Sequence, residues 1–339
     1  MTSTPRYSCD RQSTLGFPEQ RPAAYHLLVD EPVFDPTLHL DLQFPSTVTS
    51  LADLNYSAED IADCPSSFGY CNAFKVLSAE GVSVMRDICG RIYHNRNRSD
   101  GTGQNRLGSY ARGAGYRSRF IRDFCDCPEL LAHMSTITSV TLGRHSVPAV
   151  ACGINYAPDD IEKAVDTWHV DSVAFDMVMM VSDPAGMEGG EFQVFNGSKD
   201  EGGRLLGIQG EEGGDVELPA DRVETILFPT AGYGFLQQGN MIFHRACRLQ
   251  KKCARITMIP SFEVIPASEP DATNSVNMLG WGDPGMPAEL ARREVWRATA
   301  RLEKLLDEIE LDANPASLCA DIERALQPLS VFQNSLKDK

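Results

Sequence analysis

Two histidines and one aspartate have the side chains and the spacing to hold a metal ion. His169 and Asp171 are two residues apart in the segment Trp168–Ser172, and on a β-strand residues i and i+2 point to the same face. His244 lies in a second apolar segment, Gly239–Arg245. Two imidazoles and one carboxylate leave the opposite face of an octahedral metal open for ligands and O₂, an arrangement that suits non-haem Fe(II). The sequence therefore predicts an iron site at His169, Asp171 and His244.

An arginine downstream adds an anion-binding group. Arg255 and Thr257 form another i, i+2 pair in the segment that follows His244. If Met241–Arg248 and Ala254–Phe262 pair as an antiparallel hairpin, Thr257 faces His244. The side chains of His244, Arg255 and Thr257 then all point into the predicted barrel. A buried arginine on the metal side needs an anion, and a dicarboxylate cosubstrate supplies one in bidentate geometry.

Two further polar residues have positions from which they would reach the same anion. Tyr156 ends a predicted strand, and its phenol hydroxyl would donate to the carboxylate that Arg255 holds; the alternative is a core aromatic at a strand end. Arg248 has the same strand parity as His244 and should also face inward, where it would compete for the cosubstrate or hold the substrate. The alternative for His169 and His244 is that both are core histidines with their hydrogen bonds satisfied and bind no metal. In that case Arg255 would be a buried charge without an anion to pair with, which costs free energy.

These residues, taken in order, resemble the Fe(II)/2-oxoglutarate-dependent oxygenases. The His-to-Arg spacing is most similar to the phytanoyl-CoA hydroxylase-like branch, which includes many biosynthetic enzymes of fungal natural products. The resemblance covers roughly residues 65–265, and its motifs are Tyr156-x-Pro158, His169-x-Asp171, Gly189-Gly190-Glu191-Phe192, His244 and Arg255-x-Thr257.

The resemblance implies a double-stranded β-helix (jelly-roll) with N-terminal helices packed against one sheet. It also implies His169, Asp171 and His244 as metal ligands, and Arg255 with Thr257 as the clamp for the distal carboxylate of 2-oxoglutarate. The implied chemistry activates O₂, converts 2-oxoglutarate to succinate and CO₂, and oxidises an unactivated C–H bond. Hydroxylation is the default outcome, and desaturation or oxidative cyclisation stay open. Halogenation is not expected, because the related halogenases have a small residue where this chain has Asp171.

The substrate region is indicated only by charge and strand parity. Residues 91–122 contain eight arginines and a single acid, a balance of 8 − 1 = +7. We expect one or two of Arg117, Arg119 and Arg122 to reach a substrate carboxylate or phosphate, the alternative being that they pair with the acidic remainder of the chain. Strand parity also places Phe262 at the pocket. These features predict a small-molecule substrate that carries a carboxylate.

The surrounding pattern predicts a mainly β core with flanking helices (α+β). Short β-type runs with turn residues between them are typical of a sandwich or barrel. The predicted strands are Val147–Tyr156, Trp168–Ser182, Glu191–Phe195, Val223–Phe228, Gly234–Leu236, Met241–Arg248 and Ala254–Val264. The predicted helices are Ser50–Asp63, Ser78–Asn95, Ala288–Leu311 and Ala316–Leu326.

Four regions follow from this pattern. Residues 1–49 are expected to form an irregular N-terminal arm, and residues 50–138 a helical support region with an Arg-rich loop over 95–115. Residues 139–265 are expected to form the β core, interrupted by a Gly-rich exposed insertion loop over 196–221. Residues 266–339 are expected to form C-terminal helices, which either cap the barrel or form a homodimer interface.

Composition excludes several classes of function. The 339 residues include 31 Lys+Arg and 47 Asp+Glu, a net charge of −16, which disfavours binding to nucleic acid or to anionic membranes. No apolar run approaches the length of a membrane span, and no basic, then apolar, signal sequence is seen. Ten cysteines without a CxxC pair indicate reduced thiols. The prediction is a cytoplasmic protein.

Three rival functions stay open at this point. One is a cupin-type iron dioxygenase that does not use 2-oxoglutarate, in which Arg255 is a structural or substrate ligand. Another is a Jumonji-type hydroxylase that acts on a protein. The third is a non-enzymatic barrel with ligand-like residues.

Overall fold

The structure is a computed structural model that describes residues 14–99, 106–207 and 217–337. The helices are α1 (Pro36–His39), α2 (Ala58–Ala62), α3 (Ala79–Tyr93), α4 (Ala114–Arg117), α5 (Arg119–Cys125), α6 (Pro128–Thr138), α7 (Pro148–Ala151), α8 (Lys199–Leu206), α9 (Ser275–Met278), α10 (Met286–Glu308) and α11 (Pro315–Lys337). Short 3₁₀ turns cover Ala52–Leu54 and Ala220–Arg222.

The strands are β1 (Val48–Ser50), β2 (Phe68–Cys71), β3 (Phe74–Lys75), β4 (Asn97–Arg98), β5 (Ser109–Ala111), β6 (Leu142–Arg144), β7 (Cys152–Tyr156), β8 (Ala164–His169), β9 (Phe175–Met180), β10 (Phe192–Phe195), β11 (Val223–Ile226), β12 (Tyr233–Gln237), β13 (His244–Arg248) and β14 (Ile256–Val264). They form two antiparallel sheets. The larger has the order β1-β2-β12-β9-β14-β7-β5-β4, with β3 beside β12 and β6 beside β14. The smaller has the order β11-β10-β13-β8.

The two sheets face each other and enclose a cavity between them, as in a jelly roll. Strands β9 and β14 of the large sheet are buried on both faces, so their side chains divide between two environments. Phe175, Met177 and Met258 pack against the helices α3, α5 and α6 in the main core. The alternate residues on these strands, such as Val178, face the cavity and the small sheet. The predicted α+β fold with a jelly-roll core and flanking helices is confirmed.

The strand pairing corrects one prediction. β13 does not form a hairpin with β14: it pairs with β8 and β10 in the small sheet, while β14 pairs with β6, β7 and β9 in the large sheet. The connection between β13 and β14 makes its backbone hydrogen bonds elsewhere, from Gln250 N–H to Glu188 and from Ala157 N–H to Arg255. The chain therefore crosses from one sheet to the other instead of turning back on itself.

Other element boundaries also differ from those predicted. The predicted helix Ser50–Asp63 is broken at Asn55, which has a φ of 61°, and α2 begins anew with a capping box at Ser57 and Asp60. The region expected to be helical support also contributes β2, β3, β4 and β5 to the large sheet. The insertion over 196–221 contains the helix α8, while 208–216 lies outside the described residues, as does 100–105 of the Arg-rich loop.

The C-terminal helices pack on each other and on the large sheet. Arg293 of α10 is buried and donates to Glu263 on β14 at 3.0 Å, to Asp271 and to Glu294. This ion network ties α10 to the end of β14 and to the segment that follows it. Leu306, also on α10, is 74% exposed, and a homodimer through these helices stays a prediction.

Among the described residues no helix has the length and apolar character needed to cross a membrane.

Candidate metal centre

His169 and His244 are brought together by strand pairing in the small sheet. His169 ends β8, His244 begins β13, and the two residues are direct partners in the register, with ring centroids 4.2 Å apart. The Nδ1 of His169 lies 2.6 Å from the carbonyl oxygen of Thr167, and that of His244 lies 2.9 Å from the carbonyl oxygen of Ile242. Because a carbonyl oxygen only accepts, each Nδ1 carries the proton, and each Nε2 presents a lone pair to the cavity.

Asp171 reaches the same point from the loop after β8. Its backbone N–H donates to the carbonyl oxygen of Gly239 at 2.9 Å. The carboxylate Oδ1 is 3.4 Å from His169 Nε2, and Oδ2 is 3.3 Å from His244 Nε2. One ligand atom from each of these residues lies within 4.8 Å of the other two. The i, i+2 spacing thus brings His169 and Asp171 together even though Asp171 lies beyond the end of the strand.

The protonation states favour metal binding. Burial, together with the neighbouring His169, lowers the pKa of His244 to about 4. Burial alone would raise the pKa of Asp171, but the two histidines hold it below its usual value. At neutral pH His244 is therefore a neutral imidazole and Asp171 an anion, the forms that bind a metal. Two nitrogens and one carboxylate oxygen fit a divalent first-row metal such as Fe(II).

Arg255 lies in the same cavity with part of its hydrogen-bonding capacity unused. The side chain is 1% exposed, and its Nε donates to the carbonyl oxygen of Gly190 at 2.8 Å. Its Nη2 is buried and has no hydrogen-bond partner among the described residues. Burial lowers the pKa of Arg255 to about 10, so the guanidinium is still charged at neutral pH. A buried cation with an unused donor marks a place for an anion.

The innermost cavity has a volume of about 50 Å³ and walls from both sheets. Thr257 faces it from β14 beside Arg255, as expected from its parity. The residues lining it are Asn155, Asp166, His169, Asp171, Asp176, Val178, Phe192, His244, Ala246, Arg255, Thr257 and Ile259. The cluster of three and the guanidinium therefore share one small enclosed space.

Three predicted site residues lie elsewhere. The Tyr156 hydroxyl donates to the carbonyl oxygen of Cys89 at 2.9 Å, because Tyr156 faces the helical core while Asn155 faces the cavity. Arg248 lies beyond the cavity at the end of β13, with its side chain 60% exposed and paired with Glu162 at 2.9 Å. Phe262 is on the helix-facing side of β14 and belongs to the main core. The predicted roles of Tyr156, Arg248 and Phe262 at the site are wrong.

The Arg-rich segment does reach the site, but not through the arginines expected. Arg117 is buried and donates to the carbonyl oxygen of Arg112. Arg119 is exposed, and Arg122 lies over the ring of Phe17. None of these three lines either cavity at the cluster. In their place, Arg106 and Arg112 line a second cavity that adjoins the first.

This second cavity has a volume of about 120 Å³ and combines aromatic and charged walls. Arg106 pairs with Asp166 at 3.1 Å, and Arg112 pairs with Asp283 at 2.6 Å. The guanidinium of Arg112 also lies 4.1 Å from the ring centroid of Trp281. Asn155, Asp166, Asp171 and Ile259 line both cavities, so the second opens onto the cluster.

Sequence reasoning missed three acidic or amide groups next to the cluster. Asp166 lies on β8 with its Oδ2 3.5 Å from His169 Nε2. Gln237 and Asp176 face each other on β12 and β9, and both are fully buried. Burial, with the neighbouring Asp171, raises the pKa of Asp176 well above its usual value. Strand alternation would place Asp166 on the face opposite His169, and the register of β8 with β13 shifts between these two positions, whereas Gln237 and Asp176 depend on the sheet order.

The fold and the site define a jelly-roll protein with a two-histidine, one-carboxylate cluster inside its barrel. No family model and no curated protein matches the chain. Among solved structures, the chain is similar to the non-haem alpha ketoglutarate dependent epimerase SnoN from nogalamycin biosynthesis, with a TM-score of 0.43 and 16% identity over 67% of this chain and 91% of that one.

Two other solved structures resemble the chain to a similar degree. The alpha ketoglutarate dependent carbocyclase SnoK from nogalamycin biosynthesis has a TM-score of 0.39 and 16% identity over 65% of this chain and 90% of that one. EctD from S. alaskensis, solved with 2-oxoglutarate and 5-hydroxyectoine, has a TM-score of 0.38 and 15% identity over 68% of this chain and 82% of that one.

Proposed function

We propose that this chain is a non-haem Fe(II)/2-oxoglutarate-dependent oxygenase of the phytanoyl-CoA hydroxylase-like branch, similar to fungal biosynthetic oxygenases. It would oxidise an unactivated C–H bond of a small biosynthetic intermediate, with succinate and CO₂ as coproducts. The observation that carries the proposal is the buried Arg255 guanidinium with an unused Nη2 donor in the cavity of His169, Asp171 and His244.

The donor set supports iron. Three protein ligands on one face of an octahedral ion leave three positions for other ligands. His169 and His244 would bind through Nε2, because each Nδ1 is held by a backbone carbonyl. Iron, when bound, would supply O₂ activation coupled to the decarboxylation of 2-oxoglutarate.

The anion site supports 2-oxoglutarate as the cosubstrate. Arg255 and Thr257 would hold its distal carboxylate, since both line the cavity and the buried Nη2 of the guanidinium has no hydrogen-bond partner among the described residues. The Arg255 Nε stays on Gly190, which fixes the orientation of the guanidinium plane and leaves Nη2 to donate to the carboxylate. A ligand without an acceptor at this point would leave the buried Nη2 donor without a hydrogen-bond partner.

The second cavity supports a small polar substrate. Its charged groups, Arg106 with Asp166 and Arg112 with Asp283, are already paired, while Trp281 supplies an apolar wall. A substrate carboxylate would displace the aspartate from one of these pairs and bind its arginine.

The free thiols among the described cysteines support a reducing compartment such as the cytoplasm.

An anaerobic titration tests the proposal. Apo-protein is titrated with Fe(II) and then with 2-oxoglutarate while the visible absorption is followed. We expect the charge-transfer band of a 2-oxoglutarate chelate on iron. Iron binding without that band would favour the cupin-type reading that does not use 2-oxoglutarate. No iron binding would overturn the assignment as an iron enzyme.

A further inference from the structure

Gln237 contacts the carboxylate of Asp171 from the opposite sheet. It ends β12 in the large sheet and is fully buried. Its Nε2 donates to Asp171 Oδ2 at 3.1 Å and to Asp176 Oδ2 at 3.1 Å. Gln237 and Asp176 are direct partners in the pairing of β12 with β9, so the amide is held from the strand behind it.

The backbone around Asp171 leaves its carboxylate little freedom. The loop is tied to the end of β12 by the hydrogen bond from Asp171 N–H to the carbonyl oxygen of Gly239. Gly239 itself lies so close that a Cβ there would collide with Asp176 Oδ1 and come within 3.0 Å of Asp171 Cβ. Asp171 is therefore held by a hydrogen bond at its backbone N–H and by another at Oδ2. Oδ1 does not accept the hydrogen bond from Gln237.

The number of ligand oxygens that Asp171 supplies matters for the chemistry. An octahedral ion bound by His169, His244 and one carboxylate oxygen keeps three positions, two for a 2-oxo acid chelate and one for O₂. If Asp171 bound through both oxygens, only two positions would be left. The hydrogen bond from Gln237 takes up one of the two lone pairs of Oδ2, which makes Oδ2 a weaker metal ligand than Oδ1 and so opposes two-oxygen binding.

We propose that Gln237 is a positioning residue that keeps Asp171 a one-oxygen metal ligand. The inference rests on the proposed function, since it assumes a metal at His169, Asp171 and His244. Groups that orient a ligating side chain by hydrogen bonding typically change metal affinity by about 10- to 100-fold when they are removed.

The next residue provides a matched control. Gln238 is also fully buried, and its Nε2 donates to the carbonyl oxygen of Phe68 at 3.0 Å, away from the cluster. Replacing either glutamine with methionine keeps the side-chain length and removes the amide. Both variants lose a buried hydrogen bond, but only Gln237→Met loses one to a metal ligand.

The experiment measures Co(II) binding to the full chain, with Co(II) as an optical probe for the iron site. We expect Gln237→Met to bind Co(II) about 10- to 100-fold more weakly than wild type, with a shifted visible Co(II) spectrum. We expect Gln238→Met to match wild type in both. The affinity of the Co(II)-loaded protein for 2-oxoglutarate should fall in Gln237→Met alone, as coordination positions are lost.

The outcomes separate this inference from the proposed function. If wild type binds Co(II) and Gln237→Met has the same affinity and spectrum, Gln237 has no positioning role although the metal site stands. If wild type binds no divalent metal, the proposed function fails first and the inference with it. Should Gln237→Met not fold, Gln237→Asn keeps the amide but withdraws it by one methylene, and a wild-type spectrum in that variant would contradict the proposal.

Discussion

The carbonyl oxygen of Gly190 accepts a hydrogen bond from Arg255 Nε at 2.8 Å, and the two residues touch closely along the guanidinium stem. Gly190 has a φ of 75°, and a Cβ there would lie 3.0 Å from Arg255 Cδ and 2.8 Å from Leu249 Cδ2. The orientation of the Arg255 guanidinium in the cavity is therefore set by a backbone position that only glycine fills without strain.

Removing the guanidinium tests the anion site directly. We expect Arg255→Met to weaken 2-oxoglutarate binding by about 10- to 100-fold, the scale of a lost charged hydrogen bond. Metal affinity should stay the same, because Arg255 does not touch the three ligands' donor atoms. The measurement is calorimetric titration of the Co(II)-loaded protein with 2-oxoglutarate under argon.

The control for this prediction is Arg248→Met. Arg248 is exposed and paired with Glu162, so its removal should leave 2-oxoglutarate affinity unchanged. A loss of affinity in Arg248→Met together with normal affinity in Arg255→Met would show that the anion site has been assigned to the wrong arginine.

A methyl group at Gly190 should weaken cosubstrate binding indirectly. Gly190→Ala adds the strain of a left-handed alanine, about 1–2 kcal/mol, and also pushes against Arg255 and Leu249. Gly186 has the same φ of 75° with open space around its Cβ position, so Gly186→Ala carries the strain alone. We expect both variants to lose thermal stability, and only Gly190→Ala to bind 2-oxoglutarate more weakly. Equal affinities in the two variants would count against the role of Gly190.

Two carboxylates at similar distances from His169 should differ in their effect on metal binding. Asp171 lies near both histidines, whereas Asp166 contacts His169 and is paired with Arg106. We expect Asp171→Ala to reduce Co(II) affinity by more than about 100-fold, because a direct ligand outweighs an orienting group. Asp166→Asn should leave Co(II) affinity close to that of wild type, because Asp166 is already paired with Arg106. Normal binding by Asp171→Ala would remove it from the ligand set.

The same titration covers the two histidines. His169→Ala and His244→Ala should abolish Co(II) binding while circular dichroism shows a retained fold. A variant that lost both metal and fold would be replaced by the corresponding glutamine variant before any conclusion about ligation.

A buried histidine away from the cluster should make the fold sensitive to acid. Burial, with Arg293 nearby, lowers the pKa of His145 from 6.5 to about 3. Below pH 6.5 the unfolded chain takes up a proton that folded His145 refuses, so stability falls as the pH drops from 6.5 towards 3, by up to about 1.4 kcal/mol per pH unit.

The test compares urea unfolding of wild type and His145→Gln between pH 7 and pH 4. The variant should lose less stability over this range than wild type, whatever its stability at pH 7. The control is His26→Gln, at an exposed position. A pH slope in His145→Gln as steep as that in the control would contradict the prediction.

The local parts of the site could be read from the sequence. The i, i+2 spacing of His169 and Asp171 constrains where the two side chains can point, whatever the remainder of the fold does. Arg255 and Thr257 likewise share a strand face, and that parity holds in the structure. Their convergence with His244 was predicted through a hairpin that does not exist: the residues meet because the two sheets face each other.

The sequence does not show which face of a strand is turned towards the cavity and which towards the helices, so roles that depend on this choice could not be predicted. Tyr156 and Asn155 are neighbours on β7, and alternation puts one into the helical core and the other into the cavity. Without the position of β7 relative to α3, either orientation satisfies the sequence pattern. Phe262 and Ser261 on β14 pose the same choice.

The sequence by itself determined the chemical types at the site: two imidazoles, a carboxylate at strand spacing and an arginine of matching parity. Only the tertiary structure decided which other groups surround them, because Arg106, Gln237 and Asp176 come from segments far apart in the chain. The large sheet places β12 beside β9 and β5 beside β7, and these long-range pairings bring the amide, the acid and the arginines to the cavity. Strand periodicity is a local property, whereas strand order is set by burying both sheets against each other and against the helices.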